Sequence, residues 1–170
     1  NGGTNPEQYS LILNNTGSQD DETNIWNDTA PTASAFTVGD GSSEPGDRVN
    51  ASGGTYIAML FASCEGISKC GSYIGQGSNG HTTVTTDVGA HPGFTPRFLI
   101  VKSWDTSEGW WVLDTTRGWG AGDDKYFMLN TDDAQVTTVN VGEPLSTGFK
   151  VTNQFNMNVL NRKYIYYAHA

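Results

Sequence analysis

The chain has 170 residues, 21 of them glycine, and carries 9 Lys and Arg against 18 Asp and Glu, a formal net charge of −9. That length holds one ordinary domain or two small ones, and lets about two-thirds of the unfolded chain's surface be buried. The charge repels phosphate backbones and anionic lipid, which argues against nucleic-acid and membrane partners, and no run approaches the roughly 20 apolar residues of a membrane-spanning helix.

Gly, Thr, Ser and Asn supply many turn positions, and no stretch repeats apolar residues at helical spacing for three turns, so the chain reads as all-β. In chain order, Gln8–Leu13, Ala35–Val38 and Thr55–Ala62 read as the first strands. Ser72–Gly75 is a short strand, and Thr82–Val88 a weakly alternating, exposed one. Arg97–Lys102 is strongly apolar, with Trp110–Asp114 as its hairpin partner. Tyr126–Asn130, Gly148–Thr152 and Tyr164–Ala170 complete the set. No signal peptide is recognisable, and the start at Asn1 without an initiator Met reads as a processed or excised piece of a longer protein.

Residues 50–62 and 158–170 share a motif. Asn50 matches Asn158, Tyr56 and Ile57 match Tyr164 and Ile165, and Ala62 matches Ala170. Upstream, Leu13-Asn14 matches Leu129-Asn130, and Pro31, Phe36 and Val38 recur with the spacing of Pro144, Phe149 and Val151. A repeated strand implies a duplicated β unit. The expected architecture is therefore one domain over residues 1–170, a two-sheet antiparallel β-sandwich of jelly-roll or concanavalin-like type with an internal duplication. Residues 1–63 would form a first, incomplete repeat and 64–170 a second, complete one. Ile57–Phe61 and Tyr164–Ala168 are nearly continuous apolar runs, the pattern of strands covered on both faces, by a loop or by a neighbouring protomer.

The ordered set Thr29-Ala-Pro-Thr32, Phe36, residues 50–62, Gly66-Ile-Ser-Lys69, Gly71-Ser-Tyr-Ile-Gly75, Gly77, residues 93–102, Trp111-Val-Leu-Asp114, Arg117-Gly118, Leu129-Asn130, Gly148-Phe149 and Tyr164-Ile-Tyr166 carries a resemblance. It resembles a β-rich domain of undefined biochemistry found in tail-fibre and other virion structural proteins of tailed, often marine, bacteriophages. The resemblance covers about residues 26–170. It implies a non-enzymatic structural component of the virion surface, displayed to the extracellular medium. It also implies assembly with copies of itself, as a homotrimer or larger, and with other virion proteins, and a part in attachment to a host-surface glycan. It supplies no catalytic residue.

The residues themselves offer little chemistry. There is no Gly-x-Ser-x-Gly elbow, and His81, His91 and His169 are scattered. The acidic pairs Asp20-Asp21, Asp123-Asp124 and Asp132-Asp133 cannot converge from one strand, because adjacent strand residues face opposite ways. A jelly-roll polysaccharide hydrolase or lyase is thus the third reading, behind a carbohydrate- or receptor-binding module. That second reading rests on Trp104, Trp110, Trp111 and Trp119: Trp111 keeps phase with Leu113 and enters the core, whereas Trp104, Trp110 and Trp119 are candidate sugar-stacking rings. Asp114 with Arg117 reads as a surface charge pair, and Arg97 equally finds a turn carboxylate. Cys64 and Cys70 enclose five residues, a loop that a disulfide can close; the alternative is two small buried hydrophobes, and two thiols fall short of a closed zinc site. No cofactor is expected. The one weak metal candidate is a calcium loop of Asp40, Glu44 and Asp47, whose spacing matches no EF-hand.

Overall fold

The computed structural model describes residues 5–42, 45–77, 82–83, 92–120, 122–152 and 156–170. They form two compact units, one from residues 3–11 and 19–60 and the other from residues 12–18 and 61–170.

The first unit is built mainly from turns. A 3-10 turn at Pro6–Gln8 leads into strand β1 (Tyr9–Ser10), which pairs antiparallel with β2 (Asp20–Asp21). Helical turns α1 (Thr23–Trp26) and α2 (Asp47–Asn50) complete it. Ile25 is its buried anchor, and Gly39 donates its N–H to Ile25 O at 2.8 Å. The Asn50 amide donates to Gly39 O at 2.6 Å, closing the long loop between them.

The second unit carries the sheets. Strand β3 (Ser68–Ile74) follows a tight turn, and β4 (Thr82–Thr83) is short. Then come β5 (Phe98–Ser103), β6 (Trp110–Asp114), β7 (Asp124–Met128), β8 (Val136–Val139), β9 (Gly142–Leu145), β10 (Gly148–Val151) and β11 (Lys163–His169). Six strands form one antiparallel sheet in the order β3-β11-β5-β6-β7-β8, and three form another in the order β4-β10-β9.

Alternation along the strands sets the core. In β11, Tyr164, Tyr166 and Ala168 are buried while Lys163, Ile165, Tyr167 and His169 face the other way. Leu99 and Val101 of β5 and Trp111 and Leu113 of β6 join them. From the smaller sheet come Phe149 and Val151, both fully buried. The Phe149 ring lies 5.3 Å from Tyr166 and 6.2 Å from Tyr73, edge to face, while Tyr73 stacks on Tyr164 at 4.7 Å. Such pairs add about 0.5–1.5 kcal/mol each beyond area burial. Two of the buried phenols find acceptors, Tyr73 Oη donating to Met157 O at 2.7 Å and Tyr164 Oη to Asn156 O at 2.6 Å, whereas the buried Tyr166 hydroxyl has no hydrogen-bond partner among the described residues. Burial pushes the Tyr164 hydroxyl up to about 12.

The all-β, antiparallel expectation holds. So do the β5–β6 hairpin, with Val101 opposite Trp111, and the burial of Trp111. Of the first three expected strands, Gln8–Leu13 shrinks to Tyr9–Ser10, and neither Ala35–Val38 nor Thr55–Ala62 is a strand. The duplication is corrected on this point, because the Tyr164 copy lies in a central strand and the Tyr56 copy in none. A ladder, not a motif, makes a strand: β11 is hydrogen-bonded on both sides, by β3 and β5. Strands β8 and β9 were not legible, since Val136-Thr-Thr-Val139 and Gly142-Glu-Pro-Leu145 read as polar, turn-rich sequence. Of the expected Thr82–Val88 strand, residues 84–88 lie outside the described residues.

Candidate functional site

The candidate sugar-stacking tryptophans do not assemble into an open platform. Trp119 is 2% exposed, joins the core, and donates Nε1–H to Gly142 O at 3.1 Å. Trp104, 8% exposed, has the Lys163 ammonium 4.8 Å over its ring. Trp110 is half-buried, its Nε1–H donated to Ile12 O at 3.1 Å. Burying an indole is worth more than leaving a loop ring in water, so position in a loop did not mean exposure.

Cys64 and Cys70, the candidate disulfide pair, are free, exposed thiols in this structure and are not the buried hydrophobes of the alternative reading. Cys64 exchanges two backbone hydrogen bonds with Ser68, at 2.8 and 2.9 Å, in an isolated antiparallel bridge. Cys70 lies two residues further along β3. Diagonal neighbours of this kind lie about 7–8 Å apart, their Cβ atoms somewhat closer, whereas a disulfide needs Cβ atoms about 3.5–4.5 Å apart.

The candidate calcium loop contributes one described carboxylate. Asp40 Oδ1 accepts from Ser42 N at 3.0 Å and from Ser42 Oγ at 2.7 Å, and these bonds hold its carboxyl below the ordinary value. Glu44 and the Asp47 side chain lie outside the described residues, as do His81 and His91. Among the described residues no three His, Cys, Asp or Glu side chains group to hold a metal. The expected Asp114–Arg117 pair is replaced: Arg97 bridges Asp114 at 3.3 Å, while Arg117 donates Nε–H to Gln135 Oε1 at 2.9 Å and lies over the Phe127 ring.

Two buried ionic features were missed. Lys102, fully buried on the sheet face away from the core, donates Nζ–H to Glu108 O at 2.9 Å and Thr16 O at 3.2 Å. Desolvation lowers its ammonium to about 8, with the Glu108 carboxylate opposing the shift. Arg162 holds that carboxylate at 2.7 Å. Asp124, also buried, accepts N–H bonds from Gly120 at 2.8 Å, Val141 at 2.7 Å and Gly142 at 3.2 Å. A single Lys in an apolar strand and one member of an Asp pair gave no sequence signal, because only the neighbouring loops supply their partners.

The most conspicuous surface feature is apolar. Ile57 is 94% exposed, Leu60 77% and Met59 76%, with Tyr56 and Phe61 each about half exposed. Residues 55–63 form neither helix nor strand. Phe61 touches Tyr167 of β11 edge to face at 4.8 Å. Ile67, Ile74 and Leu160 are further exposed apolar side chains. Scattered apolar residues need no explanation, whereas a contiguous exposed run is the kind of surface that a protein, a membrane or a ligand can cover. Chemically, this strip can exclude water against another apolar surface and do little else.

These sheets and this strip define an antiparallel β protein with an uncovered apolar run. The profile of a domain family of unknown function, DUF7483, matches residues 3–170, and the chain belongs to that family. No curated protein and no solved structure matches the chain.

Proposed function

We propose that this chain is a non-enzymatic structural domain that works assembled with copies of itself. The setting suggested by its sequence resemblance is the virion surface or tail fibre of a tailed bacteriophage, with a part in attachment to the host. The observation that carries the reading is the exposed run Tyr56–Phe61. Three side chains that are each more than three-quarters exposed, in sequence, are costly to leave in water, at about 25 cal/mol per Å². A second copy supplies the cover that the expected duplicated strand would have had. The edge of β3 beyond Cys70, which carries exposed Ile74 and pairs with no further strand among the described residues, offers backbone groups to the same kind of neighbour.

As architecture, the proposal takes the six- and three-stranded sheets as the layers of a β-sandwich, supported by the contacts of Phe149 with Tyr73 and Tyr166. The order β11-β5-β6-β7 places the last strand beside the first of a meander, a Greek-key return of the kind found in jelly rolls.

Sedimentation over a concentration series tests the assembly. The unaltered chain forms a discrete oligomer, and the double variant Ile57→Asp, Leu60→Asp sediments as a folded monomer. A monomer at millimolar concentration for the unaltered chain overturns the reading.

A further inference from the structure

We propose that Cys64 and Cys70 form a thiol–disulfide switch whose oxidation slips the hairpin before β3 by two residues and moves the apolar run attached to it.

The reduced register is well defined. Glu65–Ile67 make the turn, with Gly66 at φ +71°, a left-handed conformation that glycine adopts without strain. Cys64 sits opposite Ser68, and Ser68 is held in place by His169 of β11. Just before the turn, Ser68 Oγ donates to Ala62 O at 2.8 Å and Cys70 N donates to Ser63 Oγ at 3.1 Å. Ser68 and Cys70 share one face of β3, and Cys64 shares that face by its pairing. The two sulfurs therefore point the same way, one rung apart.

Only a slip brings them opposite one another. A one-residue slip would turn every side chain to the wrong face, whereas a two-residue slip preserves the faces. It opens the three-residue turn to the five residues 65–69 and sets Cys64 across from Cys70. The Cys64–Ser68 backbone pair, the Ser68–Ala62 bond and the Phe61–Tyr167 ring contact are then lost. The β3–β11 ladder, seven pairs long from Ser68–His169 to Ile74–Lys163, is untouched and serves as the fixed rail.

The chemistry needs an oxidant, and a small-molecule disulfide such as oxidised glutathione is the class that fits two exposed thiols. The Cys64 thiolate attacks one glutathione sulfur, breaking that disulfide and releasing one reduced glutathione. The Cys70 thiolate then attacks Cys64 Sγ in the mixed disulfide and releases the second. The chain loses two protons and two electrons, and one oxidised glutathione takes them up to become two reduced ones. Partial burial pushes the Cys70 thiol above its ordinary value, which lowers its thiolate share and makes the second, intramolecular step the slower one.

The test uses the whole chain. Oxidised glutathione in excess, followed by alkylation and intact mass, is expected to show a species two hydrogens lighter that takes up no alkyl group. In that species the Ser68 amide, which has lost Cys64 O, exchanges with deuterium about tenfold faster or more, while the amides bonded between β3 and β11 keep their rates. Cys70→Ser is expected to stop at the mixed disulfide with its Ser68 amide still protected. Failure to form the intramolecular bridge overturns the proposal. So does a bridge that leaves the Ser68 amide protected, or a Cys70→Ser mixed disulfide that exposes it.

Discussion

Asp124 shows how much one buried side chain can organise. Its carboxylate gathers three backbone N–H groups from the residues before β7 and around the start of β9. Removing the acceptor leaves buried donors without partners, at about 1–3 kcal/mol each. Asp124→Ala is expected to cost about 3 kcal/mol or more in urea unfolding, and Asp124→Asn, which keeps one acceptor oxygen, clearly less. Lys102 makes a prediction of the opposite kind. Its folded value, lowered to about 8, lies below its ordinary 10.5, so between those pH values the unfolded chain binds more protons than the folded one. Stability therefore rises with pH across that window through this residue. The buried tyrosines, pushed up by desolvation, work against it at higher pH. The clean measurement is the difference in unfolding free energy between the unaltered chain and Lys102→Met, which should move in favour of the unaltered chain from pH 8 to 10.

At the scale of elements, sequence and structure agree where strands are flanked by strong partners. Arg97–Lys102 and Trp110–Asp114 were legible because an apolar run, a polar turn and a second apolar run follow one another with no interruption. Thr55–Ala62 has a comparable run and no ladder beside it, so its composition misled. Strand β9, the partner of the expected β10, was invisible for the converse reason: it offers no apolar run, and its place is set by a close backbone approach at Gly142 together with the Lys150–Glu143 ion pair across the strands. Gly142 has φ +138°, and a Cβ there would lie 2.0 Å from Lys150 O across the pair. Gly142→Ala is expected to destabilise the chain by about 2 kcal/mol or more, read as a lower urea midpoint with an unchanged slope. The candidate site divides the same way. The thiols and the apolar run were visible as residues, while their separation on the hairpin and their exposure were not.

For the molecule as a whole, the proposed assembly is driven by apolar contact between copies that each carry a net charge of −9. Salt screens that mutual repulsion, with a Debye length falling from about 10 Å at 0.1 M to about 3 Å at 1 M. Raising the salt from 0.1 to 1 M is therefore expected to tighten association in sedimentation. Dissociation by salt would point to charge pairing between copies and against the apolar run.

Composition and pattern alone determined the β character, the net charge, the leading hairpin and the inward face of Trp111, because each follows from local residue chemistry. The tertiary structure decided the rest: which of two matching motifs became a strand, that Trp104 and Trp119 turned inward, that Cys64 faced Ser68, and that Tyr56–Phe61 stayed uncovered. Those outcomes depend on hydrogen-bond partners and neighbours distant in the chain, and a linear pattern does not carry that pairing.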